Sequence, residues 1–221
     1  MIKAALAILT KDIASELRTR YSINALLMFV IVTLSVLLFA FAGEALSRPV
    51  HAGMLWVVMF FAAMSGISRS FVAEEERGTT MTLQLLAPSA SIYFGKLVFN
   101  ILLVLVLNVV ITVLFFVAMP DFHANQPGLL WLVILLGGLG ISSSTTIIAA
   151  IIARANTKGT LFPVLSFPVL LPLLMAGISA TKVALEDRTW SACQQDIQLL
   201  ISYIVVVITA SFLLFDFVWK D

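Results

Sequence analysis

The sequence predicts an all-α membrane protein, with six transmembrane helices preceded by an amphipathic helix and forming one domain over residues 1–221. Three observations carry this. Hydrophobic residues make up 61% of the chain and charged residues only 11%, where a soluble domain carries about a quarter charged. Mean hydropathy is +1.09, and a water-soluble fold of this size cannot hide that much apolar surface. Six apolar stretches, near 23–42, 52–70, 97–119, 129–152, 161–180 and 197–218, approach the length of about 20 residues that crosses a bilayer. None has an ionisable residue near its middle.

The gaps between the spans set the orientation. With the N-terminus inside, ten of the thirteen Lys and Arg face the cytoplasm: Lys3, Lys11, Arg18, Arg20, Arg69, Arg77, Lys96, Arg154, Lys158 and Lys220. Only Arg48, Lys182 and Arg188 face out. That bias predicts a multi-pass inner-membrane protein with both termini cytoplasmic. Trp56, Trp131, Trp190 and Trp219 lie near predicted span ends, where amphipathic rings prefer to sit. The first apolar run begins too late and runs too long for a cleaved signal, so the first span is expected to persist.

Residues 1–22 are too polar to span. At helical spacing Ile2, Leu6, Leu9, Ile13 and Leu17 form one stripe, with Lys3, Lys11, Ser15 and Arg18 opposite. This predicts a helix lying in the cytoplasmic interface, its basic residues toward lipid phosphates.

Residues 69–96 form the one sizeable cytoplasmic loop. The second span is expected to continue as a charged stalk through Glu74, Glu75, Glu76 and Arg77. Gly78 permits a turn. Residues 79–87 read as a short helix with Met81 and Leu85 on one face, stopped by Pro88. Ser89 and Ser91 are candidate caps for the third span. A charge run between two spans, flanked by apolar positions, suits a docking surface as well as a solvated face.

In the fourth span Gly138, Ser142, Thr146 and Ala150 recur every four residues, a spacing that lets helices approach closely, within one subunit or across a dimer seam. Ala62 and Gly66 repeat the spacing in the second span. Asn100, Asn108 and the 142–146 hydroxyls are candidate interhelical partners or path-lining groups. Pro163, Pro168 and Pro172 predict a kinked or broken fifth span. The polar segment 181–196, with Thr181, Glu186, Asp187 and Arg188, is expected outside.

No catalytic constellation is present in the sequence. The Gly95-Lys96 pair is followed by Leu97 and preceded five residues earlier by Ala90, so it is not a phosphate-binding loop. No group of His, Cys and Asp has metal-ligand spacing, and the lone Cys193 excludes an internal disulfide. A net charge of +1 gives no ground for a nucleic-acid partner. Spans without ionisable centres argue against an intramembrane enzyme. His51 and His123 fall in different loops at the predicted outer face. Either could serve as an axial haem ligand, and either could be structural or solvated.

Two stretches carry a family resemblance. Glu75-Glu76-Arg77-Gly78-Thr79, then Leu85-Leu86-Ala87-Pro88, then Gly95-Lys96, resembles the loop of ABC-2 type permeases. More narrowly, the opening Lys11-Asp12-Ile13-Ala14-Ser15-Glu16-Leu17-Arg18-Thr19-Arg20, followed by Ser22-Ile23-Asn24-Ala25, is similar to the start of the CcmB family, permease subunits of cytochrome c maturation. The resemblance implies the following. Residues 1–22, with Lys11, Glu16, Arg18 and Arg20, would be the elbow helix. Glu74 to Thr79, Leu85 and Pro88 would contact a separate CcmA-type ATPase. The chain would form a homodimer within the lipid bilayer and work with CcmC, CcmD and CcmE-type haem-handling proteins. ATP would bind on the partner, and haem would be the handled ligand. The tryptophan-rich haem motif of the CcmC type is missing, so haem would be held by a partner and this chain would act as a coupler. A permease for another lipid-like or drug-like substrate, and a scaffold that transports nothing, are the alternative readings.

Overall fold

A computed structural model describes residues 1–44, 46–119, 121–153, 158–186 and 190–220. Among the described residues there are nine α-helices and one 3-10 turn, with no strand. Six helical stretches are long and apolar enough to cross a membrane. Arg154, Asp187 and Arg188 of the sequence reading lie outside the described residues.

Helix α1 (Ile2–Thr19) ends at Arg20, whose φ of 51° places it in the left-handed region. Only a few per cent of non-glycine residues go there. The bend turns the chain into the first span, α2 (Tyr21–Ala40). The apolar stripe of α1 does not face the protein. Ile2, Leu6 and Leu17 are exposed, while Ile8 and Asp12 are buried against the rest of the chain. The stripe is thus left for lipid, and the helix docks through its flank on α6.

The second span, α3 (Arg48–Ile67), begins with Pro49 in its first turn, where the missing N–H is no loss. It continues through Ser68 into α4 (Arg69–Glu76). Gly78, at φ 66°, then reverses the chain. The short α5 (Thr80–Leu86) follows, and α6 (Ser89–Ala118) is the third span. Pro88 stands at the N-cap of α6. Ser89 and Ser91 do not cap it: both are inside the helix, and the Ser91 hydroxyl donates to the Met1 carbonyl at 3.2 Å.

Helix α7 (Pro127–Ala153) is the most buried span and packs on α8, α9, α6, α4 and α3. Lipid tails are as apolar as leucine, so packing and polar pairs hold such helices together rather than water exclusion. The small-residue stripe supplies both, and it faces α6 of the same chain. Asn100 Nδ2 donates to Thr146 Oγ1 at 2.9 Å, and Ser142 Oγ donates to the Gly138 carbonyl at 2.7 Å. Ser143 and Thr145 likewise donate to carbonyls four residues back, which satisfies their hydroxyls without water. Ser144 meets the Tyr203 hydroxyl at 2.7 Å, which ties α7 to α9 (Gln194–Lys220).

Helix α8 (Lys158–Leu185) leaves a kink, not a break, as the alternative for the fifth span, and it is longer than expected. It runs unbroken past Pro163, Pro168 and Pro172, because neighbouring helices can re-satisfy the freed carbonyls of a membrane helix. It also extends beyond residue 180, so Thr181 is helical and buried rather than part of a polar surface segment. Its partner is Trp56, which was expected at the interface and is only 1% exposed. The indole donates to Thr181 Oγ1 at 2.8 Å and lies over Gly137 and Gly177, where any added Cβ would overlap the ring. Trp219 is buried too, stacked on Phe215 with centroids 5.6 Å apart. Trp131 and Trp190 are exposed, as an interfacial position requires.

Candidate coupling site

One face of the molecule gathers α1, α4, α5, the start of α6 and the end of α9. Its centre is a charge cluster. Lys96 of α6 pairs with Asp12 of α1 at 3.0 Å and with Glu74 of α4 at 3.1 Å, and it donates to the Ser70 carbonyl at 2.8 Å. Lys11 pairs with Asp12 at 3.2 Å and with Glu74. Two ammonium groups thus balance two carboxylates. Burial works against the charge on Lys11, but its hydrogen bond to Glu74 and the charges of Asp12 and Glu74 outweigh that and raise its pKa. Lys96 also sits 5.6 Å above the Phe71 ring, a favourable place for a cation.

Close approach makes the cluster possible. Gly95 lies directly under α1, and a Cβ there would fall 2.9 Å from the Ala5 carbonyl oxygen and from Ile8. Gly95 therefore lets α1 approach, and the next residue, Lys96, fastens it.

Glu74 also fixes the start of the loop. Its Oε2 accepts from Thr79 Oγ1 at 2.6 Å, and its carbonyl accepts from Thr79 N at 3.0 Å. The turn at Gly78 is closed by these bonds. Glu75, Glu76 and Arg77 point away and are exposed. Glu75 accepts from Thr80 Oγ1 at 2.9 Å, and Arg77 reaches Ser15 at 3.5 Å. The three adjacent carboxylates, grouped in the sequence reading as one docking surface, therefore divide: Glu74 (7% exposed) faces inward and the other two face out.

Beyond the turn, α5 presents Met81, Leu85 and Leu86 at 77%, 88% and 77% exposure. It is tied to the body by Leu83, which packs against the core, and by Gln84, whose Nε2 donates to the Trp219 carbonyl at 2.6 Å. Trp219 belongs to an aromatic group with Phe71, Tyr93 and Phe215, which joins α4, α6 and α9. Pro88 is exposed at the end of this hairpin.

Of the other elbow residues, Glu16 is half-buried, and Arg18 and Arg20 are exposed. Gly138, Ser142 and Thr146 lie at the α6 contact, away from this site. The histidines lie at the opposite face. His51 is in the first turn of α3 rather than in a loop, is 2% exposed, and packs 5.8 Å from the Phe122 ring. His123, one residue on, is exposed.

Asp12 and Lys96 were missed as site residues in the sequence reading. Asp12 looks like any polar residue of an amphipathic helix, and Lys96 like a span-flanking cation. The available signal was the Gly-Lys pair, which carries meaning only once α1 is laid across it.

No curated protein matches the chain. A protein-family model described as "CcmB protein" matches residues 3–216. With nearly its whole length matched on a scaffold of six membrane-crossing helices, the chain belongs to the CcmB family, the haem-exporter permeases of cytochrome c maturation.

Proposed function

We propose that this chain is the mechanical permease subunit of the cytochrome c maturation transporter. It takes motion from a separate CcmA-type ATPase on its cytoplasmic face and delivers it to the spans. The observation that carries this is α5, a short helix with three large apolar side chains exposed beside a rigidly tied turn. Such a helix suits a hydrophobic groove on a partner. Glu75, Glu76 and Arg77 add exposed charge at the rim, where ion pairs steer docking. Displacement of α5 reaches α4 through Gly78 and Thr79, then α1 and α6 through the charge cluster, and α9 through Gln84. That path is a contiguous chain of packed groups, the kind of network that transmits coupling.

Haem, as cargo, is held by a CcmC-type partner and passed to a CcmE-type chaperone, with a CcmD-type subunit alongside. His51 is largely buried beside Phe122, which suits a packing role for this side chain. The Lys and Arg bias supports a cytoplasmic position for the elbow-side face, and in this reading two copies of the chain frame the path.

The test is co-purification. Leu85→Ser with Leu86→Ser, and separately Glu75→Lys with Glu76→Lys, are expected to lose the ATPase while the chain itself is recovered in normal yield. Undiminished recovery of the ATPase with both pairs would overturn the assignment. A cytochrome c defect in the same variants separates this reading from a permease for another substrate. Intact maturation with an ATPase that cannot hydrolyse ATP would favour a scaffold.

A further inference from the structure

The prolines of α8 divide it into two halves that are seated differently. Proline brings no N–H, so Pro168 and Pro172 leave the carbonyls of Val164 and Pro168 without their usual helix donors. Beyond this point the C-terminal half is firmly held. Trp56 bonds Thr181 and lies on Gly177, and Leu173 fills the space where a Cβ on Gly140 would stand. Leu170, Ala176 and Ala180 are buried with them. Before it, residues 161–167 bury only Phe162 and Ser166. The Ser166 hydroxyl, fully enclosed, has no hydrogen-bond partner among the described residues. A buried hydroxyl left unpaired weakens the seat it occupies.

The N-terminal half also borders open space. A cleft of about 260 Å³ lies between α2, α3 and α8, walled by Phe29, Phe61, Met64, Ser68, Phe162 and Pro163. A cavity of about 150 Å³ already admits a benzene ring, so this cleft has room for the Phe162 side chain.

One contact holds the joint itself. Tyr203 of α9 donates its hydroxyl proton to the Val169 carbonyl at 2.9 Å, between Pro168 and Pro172. A tyrosine hydroxyl has one proton, so the Ser144 hydroxyl, 2.7 Å away, is the donor to Tyr203. Its neighbours Ser142, Ser143, Thr145 and Thr146 each donate to a carbonyl four residues back in α7, whereas Ser144 bonds Tyr203. Tyr203 thus fastens α7, α8 and α9 together at the proline joint.

We propose that α8 is a hinged helix. Its N-terminal half swings about Pro168 and Pro172 into the cleft beside α2 and α3, and the chain Ser144–Tyr203–Val169 is the latch that holds it in the observed position. Sharp bends in helices fall at prolines, and a hinge is a few residues that absorb the backbone change. When the latch opens, Phe162 moves toward Phe29 and Phe61, while the C-terminal half stays on Trp56. The hinge belongs to this chain alone and does not depend on which partner drives it.

The test is hydrogen exchange of the full chain in lipid nanodiscs, read by mass spectrometry on peptides covering α8. Tyr203→Phe keeps the ring and removes the latch. It is expected to speed exchange over 164–171 about fivefold, the size of one lost hydrogen bond, with 176–185 and α7 unchanged. In a chain carrying Pro168→Ala and Pro172→Ala, which restores both helix donors, the same Tyr203→Phe change is expected to have no effect. Unchanged exchange in Tyr203→Phe would overturn the latch. Acceleration spread evenly over all the spans would mark Tyr203 as a general packing residue and overturn it too. An equal acceleration in the chain without the two prolines would overturn the hinge.

Discussion

The base and the tip of the 69–96 segment are built on opposite principles. At the base, Glu74 is enclosed by Lys11, Lys96 and Thr79, and the aromatic group around Phe71 backs it. At the tip, α5 holds the body through Gln84 and leaves Met81, Leu85 and Leu86 uncovered. A segment that only connected two spans would need neither a charged brace nor a bare apolar helix. A segment that passes force needs both, a contact to receive it and a stiff mounting to pass it on. In the proposed coupling role Glu74 and Glu75, neighbours in sequence, would serve different parts, one in the mounting and one at the contact.

The comparison can be broken at its base. Lys96→Met leaves Asp12 and Glu74 sharing Lys11 in a largely buried setting. Losing one partner of a buried ion pair costs several kcal/mol, here about 3 kcal/mol. Chemical unfolding of the purified chain in mixed micelles measures it. The next effect belongs to Gly95→Leu, which forces α1 off α6 at a cost of about 2 kcal/mol. Faster hydrogen exchange in α1, with the core of α7 unchanged, is the expected signature. Gly78→Ala places a Cβ in the left-handed region and costs about 1 kcal/mol, visible as a small drop in melting temperature. The smallest effect sharpens the contrast. Glu75→Gln, Glu76→Gln and Leu85→Ser lie on the exposed side and should stay within about 0.5 kcal/mol. Equal destabilisation by Lys96→Met and Glu76→Gln would erase the distinction between base and tip.

Much of the fold was legible because membrane spans announce themselves by length and apolarity. The extended stalk, the Gly78 turn and the short helix before Pro88 could also be read, since local chemistry decides them. What could not be read were pairings between distant segments. Trp56 looked interfacial because its seat consists of Gly137 and Gly177, two residues with no side chain to signal it. Thr181 looked like part of a polar surface segment because its partner lies far away in α3. The three prolines of α8 suggested a break because their cost was judged in isolation from the helices around them. In the site, inward Glu74 is indistinguishable from outward Glu75 until Lys96 is set beside it. The stripe of α1 and its interfacial setting were legible as a pattern, but the flank by which the helix docks depends on Gly95.

The elbow's fastening also constrains how the protein is made. Helix α1 leaves the ribosome before the residues that hold it: Gly95 and Lys96 emerge only after α3, α4 and α5 have been synthesised. Until then the nascent helix has its outward stripe of Ile2, Leu6 and Leu17 to keep it at the bilayer surface. Membrane insertion of the third span is thus the event that recruits α1, and a chain stalled before it would carry its elbow unmoored.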